Sequence, residues 1–160
     1  MFKATRSGIL LFLLPLSSAF GVSSISFFDS GFVLSPGFTY QKEQFVSVDG
    51  GFGFLEREFG EMIVIKAGVE KSLESSLKGV KLGFKVINRE REFPLKMVIG
   101  ADIAHYSGYG EKEIRFVPEI GVSWRNSYVT LTYRYGLHIS GDKIDNVGNH
   151  GVSLGVNIPF

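Results

Sequence analysis

From Phe32 onward the chain alternates apolar and polar residues with a period of two, in eight stretches separated by turn-rich or charged segments. That period belongs to half-buried strands and not to helices. The fourth stretch is the plainest: Val80, Leu82, Phe84 and Val86 alternate with Lys81, Gly83 and Lys85. The same parity runs through Phe32–Tyr40, Val46–Phe54, Ile63–Val69, Leu95–Ile103, Ile114–Trp124, Val129–Leu137 and Val152–Phe160. The pattern predicts an all-β chain of eight antiparallel strands.

Which face looks inward decides the class. In a soluble sandwich or lipocalin-like barrel the apolar face fills a core. In an up-and-down transmembrane β-barrel it meets lipid, and the polar face closes around a charged interior. Three features favour lipid. The apolar parity carries large side chains while the other is rich in Gly, as a tightly curled sheet requires. Tyr40, Trp124, Tyr133 and Tyr135 lie on the apolar face, where interfacial girdles form. Connections are expected to alternate in length, with Arg125-Asn126-Ser127 a tight turn and Glu70–Lys78 and Gly141–Asn149 longer, polar and extracellular.

The N-terminus adds a compartment. Lys3 and Arg6, the apolar run Gly8–Leu16 and the small residues Ser17-Ser18-Ala19 have the layout of a secretory signal peptide. Residues 1–19 are therefore expected to be a leader cleaved after Ala19 (Gly21 is the alternative), with residues 20–160 forming one outer-membrane β-barrel domain. No later run reaches the roughly 20 apolar residues of a spanning helix. Any crossing must be made by strands.

Composition narrows the classes further. With 17 Lys+Arg against 16 Asp+Glu, the net charge of +1 gives no electrostatic reason for a nucleic-acid partner. The absence of Cys excludes a disulfide, a thiolate zinc site and a lipid-modified cysteine. Gly50-Gly51-Phe52-Gly53 reads as strand glycine and not as a phosphate cradle, so no cofactor is implied.

The final segment, Gly151-Val-Ser-Leu-Gly-Val-Asn-Ile-Pro-Phe160, resembles the closing strand of small eight-stranded bacterial outer-membrane barrels, proteins of the Gram-negative cell envelope. The resemblance implies that Phe160 acts as an assembly signal for the barrel-assembly machinery. It also implies contact with outer-membrane lipid, including lipopolysaccharide. Pro159, which lacks an N–H, leaves the pairing of the last residue open.

On the lumen-facing parity stand Lys66, Lys81, Lys85, Lys96, Asp102, Arg115, Glu119 and Arg134, joined by Asp49, Glu70 and Arg125. Cations outnumber carboxylates in that set. Buried charges must be paired, so an interior ion-pair network filling the barrel is expected, without an open pore. Two His-x-Ser pairs also occur, His138-Ile139-Ser140 and His105-Tyr106-Ser107. The stretch from Tyr135 to Phe160 resembles the end of the outer-membrane lipid A deacylase family, in which a His takes the serine proton and an acid on the last strand orients the His. Here His150 stands where the acid is expected and Gly141 follows the serine. The alternative trio is then His138, Ser140 and His150. A second frame, His105, Ser107 and Glu119, splits between the two faces by parity. The favoured expectation is a structural or surface-interaction barrel, with a serine hydrolase as the alternative.

Overall fold

The computed structural model describes residues 30–56, 61–88, 95–124 and 129–159. The expected leader, Arg125 and Phe160 lie outside them. Ten hydrogen-bonded segments follow one another: β1 (Ser30–Tyr40), β2 (Gln44–Glu56), β3 (Glu61–Ser72), β4 (Lys78–Asn88), β5 (Leu95–Gly108), β6 (Glu111–Trp124), β7 (Val129–Tyr135), β8 (Leu137–Gly141), β9 (His150–Val156) and β10 (Ile158–Pro159). β1 to β7 pair antiparallel in chain order, β8 pairs with β6 and β9 with β7, and β1 also pairs with β9 and β10, which closes the sheet on itself. Two interruptions hide the simpler count. β8 continues β7 past Gly136, both lying along β6. β10 continues β9 past Asn157 in the same register against β1. The molecule is a closed eight-stranded antiparallel β-barrel.

The second interruption has a local cause. The β1–β9 register carried forward brings Pro36 opposite Val156, and Pro36 has no N–H to donate there. Ser35 Oγ instead donates to Asn157 Oδ1 at 2.8 Å, so a side-chain bond holds the seam where the ladder skips. Pro159 lies in register with Val33, and the closing strand is paired to that point.

The apolar parity faces out. Leu82 is 63% exposed, Met97 58%, Ile120 52% and Leu131 47%, and comparable residues stand on every strand around the wall. This arrangement is the reverse of a soluble barrel, whose apolar face would be the buried one. A continuous exposed apolar band is the surface that a bilayer covers. Among the described residues no helix is long and apolar enough to cross a membrane, a statement that does not concern strands.

The connections correct the expected alternation of lengths. At one rim the turns span residues 41–43, 73–77, 109–110 and 142–149, so two of the four are tight. Glu70, Lys71 and Ser72, read from their polarity as loop, are paired in β3 against Ser47, Val46 and Phe45. The tallest hairpin, β5–β6, turns in two residues. Tyr109 (φ 54°) and Gly110 (φ 85°) are both left-handed there, as a hairpin turn matching the strand twist requires.

That rim is closed from within. Phe45, Leu77, Ala104, Tyr106, Val117, Ile144 and Val147 form a buried apolar cluster, to which the 142–149 segment contributes by folding inward. The polar-inside expectation is thereby corrected at this end. We call it the plugged rim.

Candidate functional site

Below the plug the lumen holds charge. Lys66 Nζ lies 3.0 Å from Asp102 and 2.9 Å from Glu119, while Lys81 Nζ lies 3.0 Å from Asp49 and 3.5 Å from Glu70. Lys85 reaches Glu119 at 3.8 Å, and Arg134 bridges Glu70 at 3.3 Å and Asp102 at 3.6 Å. The Tyr106 hydroxyl donates to Glu70 Oε1, tying this network to the plug. Four cations meet four carboxylates, and Arg115 is matched by Glu113, whose Oε1 lies 2.7 Å from its Nε. Of the cations that made up the excess expected from parity, Arg115 is offset by Glu113 at the edge of β6, and Arg125 lies outside the described residues. Lys96 is half-buried, stands in register with Ser123 and has a partner of its own.

Glycine makes room for these side chains. A Cβ at Gly68 would sit 2.0 Å from Asp49 Oδ1, and one at Gly83 would sit 2.1 Å from Asp102 Oδ1. Both carboxylates occupy space that any other residue would fill.

Above the network the turns are stapled together. Glu43 accepts hydrogen bonds from the hydroxyls of Ser72 and Ser75 and from Asn146 Nδ2. Lys42 Nζ donates to the Asp145 carbonyl at 2.7 Å, and Arg115 donates to the Gly148 carbonyl at 3.0 Å. Burial alone would raise the Glu43 carboxyl, yet these hydrogen bonds outweigh it and hold its pKa below the ordinary 4.5. A depressed folded pKa contributes stability in full above the unfolded value and loses it as pH falls through the folded one. Acidification below pH 4.5 is therefore expected to loosen the 142–149 segment. Hydrogen exchange at the Val147 amide, which donates to the Ile144 carbonyl, reads this directly. Glu43→Gln should raise that exchange already at neutral pH, and unchanged exchange in both tests would sink the staple.

The His-x-Ser residues are placed less simply. His105 faces outward and Glu119 inward, so the His105, Ser107 and Glu119 frame does not converge. At the other pair, β8 carries a bulge: Arg115 opposes His138, whereas Ile114 opposes Ser140, leaving Ile139 as the extra residue. The bulge sets His138 opposite an inward-facing residue and Ser140 opposite one of outward parity. His150 lies elsewhere, on the outer wall, where its ring meets Tyr135 and its Nδ1 bonds the Tyr133 hydroxyl. The three residues of the alternative trio are not brought together.

What sequence reasoning missed is Glu113. Its Oε1 lies 2.9 Å from His138 Nδ1, and its Oε2 accepts from the Ile144 amide at 3.0 Å. A carboxylate does orient His138, from the adjacent strand and not from the last. The one signal available was parity, since Glu113 shares it with Arg115 and Glu119. Among the described residues no cluster of three or more acidic or His side chains is arranged to hold a metal ion.

No protein-family model matches the chain, and no curated protein matches it. Among solved structures, the crystal structure of Neisserial surface protein A (NspA) is similar with a TM-score of 0.50 at 17% identity. The match covers 82% of this chain and 96% of that one. At that identity the likeness bears on the fold alone.

Proposed function

We propose that this chain is a Gram-negative outer-membrane barrel with a structural or surface-interaction role and no open pore. The observation that carries the reading is the pairing of an apolar outer wall with a filled interior. Ion pairs occupy the lumen and an apolar plug closes one rim. The likeness to a protein named for the Neisserial surface supports the same location. On this reading the terminal strand, with Phe160, is what the barrel-assembly machinery recognises, and lipid is the constant partner of the wall.

Location is the test. The mature chain is expected to fractionate with outer membranes and to migrate differently on gels before and after boiling, because a closed barrel resists detergent until heated. Recovery as a soluble periplasmic protein would overturn the reading.

One observation favours a second reading, a lipid A deacylase-like hydrolase: the Glu113–His138 pair is the orienting half of a nucleophilic triad. The opposed facing of Ser140 counts against it, since a serine without a base is a weak nucleophile. Mass spectrometry of lipid A from cells with the protein, without it, and with Ser140→Ala separates the two. Loss of an acyl chain only when Ser140 is intact would establish the enzyme.

A further inference from the structure

The outer wall is not uniformly apolar near the plugged rim. Lys71 ends a cross-strand row that continues through Lys78 and Ser107 to Lys112, each residue directly opposite the next. All three lysines are exposed, and among the described residues none has an ion-pair partner. Lys71 and Lys78 are immediate cross-strand neighbours, an arrangement that repels unless an anion lies between them.

Toward mid-wall from this row the surface falls into a groove of about 470 Å³, within the size range of ligand sites. Val48, Val69 and Val80 stand side by side along its floor, with Val46 beside Lys71 above them. His105 ends the row of valines, directly opposite Val80, and also lines the groove. An apolar trough headed by unpaired cations is complementary to an acyl chain ending in an anionic headgroup.

We infer that this groove, on the lipid-facing wall of β2–β5, binds an acylated lipid with a net-anionic phosphate headgroup, its phosphate held by Lys71 and Lys78 with Lys112 at the end of their row, and an acyl chain along the valines. The inference rests on the membrane-barrel reading and gives it a defined lipid site. It is separate from the lumen and from the His138 region, and it needs no catalysis.

The test reconstitutes the mature chain in phosphatidylcholine vesicles doped with either bis-phosphorylated lipid A or its dephosphorylated form, then extracts it gently and reads co-purifying lipid by native mass spectrometry. The wild-type barrel should retain the phosphorylated lipid preferentially. K71A/K78A/K112A should retain it roughly a hundredfold less, at about fivefold for each of the three lysines near an anionic surface. K71R/K78R/K112R should keep most of the retention, and K42A, which alters a turn lysine outside the groove, should keep all of it. Heat-modifiable migration of each variant confirms a closed barrel before retention is compared. Equal retention of the two lipids, or of lipid by wild type and the alanine variant, would overturn the inference while leaving the membrane reading intact. A chain that does not float with vesicles of either composition would overturn both.

Discussion

Replacing Glu119 by alanine is expected to cost about 3–5 kcal/mol of unfolding free energy, the usual loss when one partner of a buried ion pair is removed and the other stays behind. Glu119 is 5% exposed and serves two lysines, Lys66 at 2.9 Å and Lys85 at 3.8 Å, with Thr132 Oγ1 at 3.5 Å. Lys66 would keep Asp102, but Lys85 would lose the only ion-pair partner it has among the described residues. Glu74→Ala is the comparison. Glu74 lies in an exposed turn, where its carboxylate accepts from the Gln44 amide, and its loss should cost no more than about 1 kcal/mol. Unfolding of both variants in detergent micelles by urea reads the difference. Equal losses would show that the network does not hold the barrel together.

Gly121→Val is expected to prevent closure altogether. A Cβ at this position would fall 2.0 Å from the Leu131 carbonyl oxygen and 2.6 Å from the Thr132 Cα, both backbone atoms of the paired strand. No side chain can move aside, so β6 and β7 must separate. Ordinary overpacking costs about 1–3 kcal/mol because neighbouring rotamers give way; here the ladder itself has to give. Gly53→Ala provides the contrast, since its nearest atoms lie 3.5 Å or more from the added carbon. The expected result is loss of the heat-modifiable form for Gly121→Val and its persistence for Gly53→Ala. A folded Gly121→Val barrel would mean that β6 and β7 lie further apart than described.

These contrasts show what could be read from the chain and what could not. Period-two alternation placed Val80–Val86 and Leu95–Ile103 on strands and assigned their faces, because a one-residue slip would turn every side chain to the wrong side. The lumen residues Lys66, Lys81 and Asp102 follow from the same parity. The plug does not. Ile144 and Val147 are isolated apolar residues in a polar stretch with no period, and only the inward fold of their segment gives them a core. The bulge at Ile139 is equally silent, since nothing in the residue types marks the extra position that separates His138 from Ser140. Glu113 lies two residues into β6, at a strand end where alternation has only just begun.

The balance of the lumen also bears on how such a chain can change over generations. Because Lys66, Lys81, Lys85 and Arg134 are matched by Asp49, Glu70, Asp102 and Glu119, a single charge-altering substitution leaves the network with one charge in excess. Neutral drift at these positions must proceed in concert. Homologous chains should lose Lys85 together with Glu119, or Lys81 together with Asp49, as neutral pairs that leave the remaining ion pairs matched, whereas Lys71, Lys78 and Lys112 on the wall remain free to vary one at a time unless a ligand constrains them. Paired substitution in the interior and independent substitution outside would be the evolutionary trace of a charge-matched lumen network.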